Sequence, residues 1–276
     1  MTRGLSLVAA IGRKVAGGKR MASISSRETV ATQESVRGIC PVCGQPAHFH
    51  GFTDNPRESG TCSVCGCFNR QRQMASVIRS QFGMSEQGSL TFPEGFHLFN
   101  TESSGALHTV LSAHMGYVCS EYFGPQHASG EYIEGVQHQD LQALSFADGQ
   151  FDLVLSSDVL EHMPEPYRAH SEIYRVLKPG GRHIFTVPFM PNSLVDDVRA
   201  AQVDGEIRYF GERLYHGDPV RPGEGILVWT IFGQEMLRRL AEIGFAPSSL
   251  NLHVPHQGII GGGQIVFEAL KPEESQ

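Results

Sequence analysis

The chain has 276 residues, enough for one large α/β domain and a small module, and its 40% hydrophobic and 18% charged residues are an ordinary globular composition. No run approaches the roughly 20 apolar residues that a membrane-crossing helix needs. The formal net charge of -7 gives nucleic acid no overall attraction, so a small-molecule or protein substrate is favoured.

Residues 1–27 carry Arg3, Arg13, Lys14, Lys19, Arg20 and Arg27 with no acid before Glu28. A solvated basic tail over 1–36 and a cytoplasmic protein are the default expectation; an organelle transit peptide is the alternative. Next comes a module over 37–68. Cys40-Pro-Val-Cys43 and Cys62-Ser-Val-Cys65 stand eighteen residues apart, and each is followed at once by a glycine, Gly44 or Gly66. Two such knuckles supply the four thiolates of a closed, tetrahedral, structural zinc site, so a zinc ribbon held by Cys40, Cys43, Cys62 and Cys65 is expected. Cys67 could replace Cys65 or be a spare thiol, and His48 and His50 could compete. The spacing of Met74, Val77, Ile78 and Phe82 predicts a helix over 68–82, within a linking segment over 69–92.

From Phe96 onward short apolar runs alternate with amphipathic stretches, the pattern of βαβ units. Strands are predicted over 96–99, 117–120, 135–138, 151–156, 182–187 and 264–270. Helices are predicted over 105–113, 166–177 and 232–243, the second stopped by Lys178-Pro179-Gly180-Gly181. The long segment 188–229 between the fifth strand and the next helix, with Tyr215, His216 and Asp218, reads as a lid over an acceptor site. His253 and His256, beside Pro255, read as structural.

Two motifs are more specific. The run Leu144-Ser-Phe-Ala-Asp-Gly-Gln-Phe-Asp-Leu-Val-Leu-Ser-Ser-Asp-Val-Leu-Glu-His162, followed by Glu172-Ile-Tyr-Arg-Val-Leu-Lys-Pro-Gly-Gly-Arg182, resembles the class I S-adenosylmethionine (SAM)-dependent methyltransferases of the small-molecule branch. The resemblance covers about Phe96 to Pro272 and leaves out the cysteine module. It implies a Rossmann-like α/β sheet with helices on both faces over 93–272, with SAM as cofactor. It also implies a cofactor site at Asn100, Glu102, Gly105, Glu121, Asp140, Leu141, Ser157 and Asp158. Asn100 stands where the family has an acid, and Gly105 alone remains of its glycine-rich turn. His162 and His216 are the candidate proton acceptors. A small-molecule acceptor is the expected partner. The alternatives are a catalytically inactive binding protein that recognises a partner or nucleic acid through its ribbon, and an RNA or protein methyltransferase.

Overall fold

The computed structural model describes residues 35–217, 223, 225–262 and 265–273. A three-stranded antiparallel sheet, Ser35–Ile39, Pro46–His50 and Thr61–Cys62, opens it. In the middle strand Ala47 and Phe49 are buried and their neighbours exposed. This period of two puts one face on a core.

The main sheet has eight strands: β1 (Leu98–Asn100), β2 (Tyr117–Glu121), β3 (Tyr132–Ile133), β4 (Val136–His138), β5 (Phe151–Ser157), β6 (Leu177–Thr186), β7 (Ala246–Asn251) and β8 (Ile265–Leu270). Their order across the sheet is β7-β8-β6-β5-β1-β2-β4-β3. The five strands from β6 to β4 are parallel, whereas β8 runs antiparallel to β6 and β7 antiparallel to β8. Strand order reverses between β1 and β5, the place at which open α/β sheets bind ligands beyond the carboxyl ends of their strands.

Strand β5 reads Phe-Asp-Leu-Val-Leu-Ser-Ser and is buried nearly throughout, as a parallel strand covered on both faces must be. Leu153 and Leu155 join one core cluster, and Val154 between them joins the other. The first core lies under α1 (Asn69–Gln81) and α2 (Gly105–Leu111). The second lies under α3 (Pro166–Val176) and α4 (Glu235–Ile243). This is the α/β Rossmann-like arrangement expected from the motifs.

The segment expected to link two modules has a deeper role. Met74, Val77 and Ile78 of α1 pack in one cluster with Phe49 of the small sheet and Leu98, Leu155, Ile184 and Val266 of the large one. Arg72 of α1 is fully buried. Its guanidinium donates to the carbonyls of Cys67 (2.8 Å) and Gly258 (2.9 Å) and lies over the Phe49 ring. Arg79 donates to the Pro41 carbonyl (2.7 Å). Each cysteine knuckle is thus tied to the same helix, which itself covers the sheet.

Several boundaries depart from the expectations. The predicted stop Lys178-Pro179-Gly180-Gly181 is not a helix cap. The α3 helix ends at Val176, and the four residues lie within the bounds of β6. Gly180 accepts a left-handed φ of 77°, and Gly180 and Gly181 exchange backbone hydrogen bonds with Lys271 beyond β8. The antiparallel neighbour holds this turn against the sheet. The predicted helix from 232 starts at Glu235, because Phe232 forms a bridge with Phe189 instead. Strand β7, with four of its six residues exposed, was not foreseen. Of the predicted last strand, Gln264 lies outside the described residues.

The segment 188–229 contributes three short antiparallel pairings: Asp197–Val198 with Thr230–Ile231, Ala200–Val203 with Glu206–Tyr209, and Tyr215–His216 with Ile226–Leu227. Asp218 lies outside the described residues. Among the described residues no helix is long and apolar enough to cross a membrane.

Candidate functional site

Five thiols converge in the small module. The two knuckles share one backbone plan: Gly44 N–H donates to the Cys40 carbonyl (2.7 Å) and Gly66 N–H to the Cys62 carbonyl (3.0 Å). Both glycines sit at left-handed φ, 66° and 73°, which the turn requires at that step. The sulfurs of Cys40, Cys62, Cys65 and Cys67 all lie within 4.8 Å of one another. Cys67 Sγ is 3.4 Å from Cys40 Sγ. Cys43, the fourth member expected from spacing, borders the cluster and interacts with Cys65 and Cys62. Hydrogen bonding, first from Cys40, holds the Cys62 thiol far below its ordinary range and brings Cys65 down to about 6. The same hydrogen bonds, first with Cys62, push the Cys40 thiol above its ordinary range, so the sulfurs act as one group; it is as thiolate that sulfur binds metal. This donor set suits zinc, and as a closed thiolate shell it would serve structure.

The second assembly sits at the carboxyl ends of β1, β2 and β5. Glu121, the last residue of β2, accepts hydrogen bonds at Oε1 from both the backbone N–H and the hydroxyl of Ser103, each 2.9 Å. This anchors the loop after β1 to the end of β2. Asn100, buried at the end of β1, donates to the Glu102 carbonyl (2.9 Å) and the Tyr117 hydroxyl (3.1 Å), so it shapes that loop from within. Gly105 opens α2 at φ 83°, and a Cβ on it would stand 3.1 Å from Gln71 Nε2 of α1. Burial pushes the Glu102 carboxyl up to about 7; Arg70 opposes the rise, and Glu121, Asp158 and Glu58 add to it.

Ser157 ends β5 and Asp158 follows it at φ 54°, a left-handed conformation that is strained for a residue with a side chain. Asp158 is held there by its N–H on the Thr186 carbonyl and by the Thr186 hydroxyl on Oδ1, both 3.0 Å. It is also paired with two arginines that sequence reasoning missed. Arg57 grips its carboxylate with both terminal nitrogens, and Arg70 Nε lies 3.5 Å away while its guanidinium reaches Ser157. Glu58 completes the group, accepting from Arg70 Nε at 2.7 Å. Burial alone would raise the Asp158 carboxyl, but the Arg57 bonds and the Arg70 charge outweigh it and hold the group below the ordinary carboxylate range. Both arginines come from the cysteine module and its exit helix, so that module reaches the carboxyl end of β5.

Two other expected residues have local partners. Asp140 Oδ1 accepts from the N–H of Gln142 (2.9 Å), a turn-forming contact, and Leu141 is buried in the core under α3 and α4.

The segment after Asp158 forms a third group. His162 and His216 meet with Nε2 and Nδ1 3.2 Å apart, their rings 4.9 Å between centroids. Beneath them Glu161 is 0% exposed, with Oε1 3.5 Å from His216 Nδ1 and 3.7 Å from His162 Nε2. His162 Nδ1 lies 2.8 Å from the Leu227 carbonyl, which fixes that nitrogen as the donor and leaves Nε2 with its lone pair. Trp229 N–H binds the Glu161 carbonyl at 2.7 Å, so the 188–229 segment is fastened to the end of β5 from both sides of this group. Glu161 was not singled out from the sequence. His256 has a different partner, Glu86 at 3.1 Å.

Residues 107–185 match the family model described as methyltransferase domain. An arsenite methyltransferase of Aquipseudomonas alcaligenes is 36% identical over 96 residues, 34% of this chain and 26% of that protein. An uncharacterized methyltransferase of Mycobacterium tuberculosis is 34% identical over 109 residues, 38% of this chain and 42% of that protein. The chain thus spans less than half the length of these curated relatives. A solved SAM-dependent methyltransferase of Mesorhizobium loti aligns over 71% of this chain and 96% of that one, with 15% identity and a TM-score of 0.43.

Proposed function

We propose that the chain is an enzyme, a SAM-dependent methyltransferase acting on a small-molecule acceptor, with structural zinc in its cysteine module. The observation that carries this reading is the set of carboxylates, Glu102, Glu121 and Asp158, gathered at the carboxyl ends of β1, β2 and β5 where the strand order reverses. The methyltransferase-domain match over 107–185 supports it.

The residues present fit the cofactor. Glu121 has Oε1 committed to Ser103, which leaves Oε2 for a ribose hydroxyl. Glu102, desolvated and near Arg70, would meet the ammonium of the methionine moiety, and Arg70 its carboxylate. Asp140 would border the adenine, and Asn100, Gly105, Ser157 and Asp158 would shape the floor, while Leu141 belongs to the core behind them. When bound, SAM supplies an activated methyl group and its own leaving group, so the protein has to align the acceptor and take its proton. His162 and His216 are the groups at the end of β5 able to do so, held by Leu227 and beside Glu161. The 188–229 segment, which brings His216 to them, would form the acceptor side.

Isothermal titration with SAM tests the reading. Glu121→Gln retains an oxygen for Ser103 but loses the charge, whereas Glu121→Ala loses both. We expect a loss of roughly 1.5 to 3 kcal/mol in SAM affinity for Glu121→Ala, the scale of hydrogen bonds to a charged group, with Glu121→Gln between it and the parent. Parental affinity in both variants would remove Glu121 from the cofactor site.

A further inference from the structure

The group formed by Glu161, His162 and His216 has more ligand capacity than a proton acceptor needs. Its three donor atoms, Glu161 Oε1, His162 Nε2 and His216 Nδ1, stand 3.2, 3.5 and 3.7 Å from one another. Three ligands at about 2.0–2.1 Å from a tetrahedral ion are about 3.3–3.4 Å apart. The trio is therefore already spaced as three corners of a coordination shell. We infer that Glu161, His162 and His216 form a mononuclear site for a divalent first-row transition metal, separate from the thiolate cluster and with a coordination position left open.

Three observations favour an ion over a shared proton. First, both carboxylate oxygens of Glu161 are buried without a hydrogen-bond partner among the described residues, and the side chain is 0% exposed. A buried carboxylate is costly unless it is paired or coordinates a metal. Second, His216 Nδ1 can carry one hydrogen. That hydrogen can serve His162 Nε2 or Glu161 Oε1 but not both, so a proton leaves one of the two contacts unmet. A cation accepts all three lone pairs. Third, His162 donates its other ring nitrogen to the Leu227 carbonyl at 2.8 Å. That contact orients a metal-binding imidazole and fixes its tautomer.

The ligand types narrow the ion. Two imidazoles and one carboxylate suit zinc, iron, cobalt or nickel better than magnesium or calcium, which prefer oxygen throughout. Three protein ligands also mark a working site, unlike the closed shell of four thiolates. The fourth position would take a water or an oxygen, nitrogen or sulfur atom of the acceptor. A metal there lowers the pKa of what it binds, so an acceptor that ionises with difficulty could be held as its anion, the metal then replacing His162 and His216, whose lone pairs it uses, as the means of removing the acceptor's proton. Only this role rests on the methyl-transfer reading; the binding of the metal does not.

The test uses the full-length protein with zinc retained in its thiolate cluster and Co2+ as the probe. Titration should show one further equivalent of Co2+ per chain, with ligand-field absorption and no sulfur-to-metal charge transfer. His216 is 43% exposed, so His216→Ala removes a ligand with little risk to the fold. It should weaken Co2+ at least tenfold, as should the near-isosteric Glu161→Gln, each with an unfolding temperature within a few degrees of the parent. No further equivalent, a thiolate spectrum, or unchanged affinity in both variants would overturn the site. SAM titration of the same samples separates the two readings. Cobalt binding without SAM binding would keep the metal site and remove the methyltransferase; SAM binding without cobalt binding would do the converse.

Discussion

Because Glu102 is pushed up to about 7 by burial, the affinity for SAM should depend on pH in a window where few other carboxylates titrate. The charged groups around it are Arg70, Glu121, Asp158 and Glu58. Asp158 is held low by Arg57 and Arg70 and stays ionised throughout. The sign follows from the raised pKa: the carboxyl is neutral below about 7 and becomes a partner for an ammonium only above it. If the ammonium of SAM engages the ionised form, apparent affinity tracks the ionised fraction. That fraction is about one half at pH 7 and about one thirtieth at pH 5.5, a fall of roughly 16-fold or about 1.6 kcal/mol. An α-amino group ionises near 8, so SAM itself stays charged over this range. Isothermal titration between pH 5.5 and 7 reads the slope, and repeating it in buffers of different ionisation enthalpy should show about 0.9 proton released per SAM at pH 6. Glu102→Gln should flatten the profile. A parent whose affinity is flat over the window, or a Glu102→Gln variant with the parental slope, would refute the assignment of Glu102 to the ammonium.

Folding stability should fall in acid for a separate reason. His170 is fully buried with neither ring nitrogen hydrogen-bonded among the described residues, and burial pushes it down to about 3. The unfolded chain takes up its proton below about 6.5 and the folded chain does not. Stability therefore drops by about 2 kcal/mol between pH 7 and 5, and urea unfolding of His170→Leu should lack that share of the loss. The cysteine module should hold one zinc per chain by elemental analysis, and Cys62→Ser should lose it, since Cys62 belongs both to the quartet expected from spacing and to the one whose sulfurs lie within 4.8 Å. Because α1 belongs to one core with both sheets, that variant should lower a single unfolding transition rather than melt a ribbon away from an intact sheet.

The parts legible in the sequence are those with local cause. Phe151 to Ser157 reads as a buried strand from its own composition, and the knuckles around Cys40 and Cys62 read from spacing and from Gly44 and Gly66. Strand β7, Ala-Pro-Ser-Ser-Leu-Asn, has no apolar run, because an edge strand with one buried neighbour needs none. The candidate site was legible as far as one motif could carry it. Glu121, Asp158 and His162 follow from their places after strands. Arg57 and Arg70 are 101 and 87 residues from the partners they grip, and nothing in local periodicity encodes such a pairing. Glu161 has no signal of its own in the sequence; its burial under His216 depends on where the 188–229 segment returns.

The shared core under α1 also bears on where the chain can be divided. A cut at residue 92 looks natural, since the family resemblance begins just beyond it. Such a cut would uncover Leu98, Leu155, Ile184 and Val266, which α1 and the small sheet now shield. An apolar face of this kind invites association between copies. It would also leave Asp158, held at a strained left-handed φ, without Arg57 and Arg70. Shortened versions that begin there should therefore precipitate or bind non-specifically, and inactivity measured on them would report the missing cover rather than the chemistry of the domain. Any lineage that lost the cysteine module would have to replace at once a hydrophobic lid and two positive charges. The small module therefore shares its core with the large sheet and, with its exit helix, places two arginines at the end of β5.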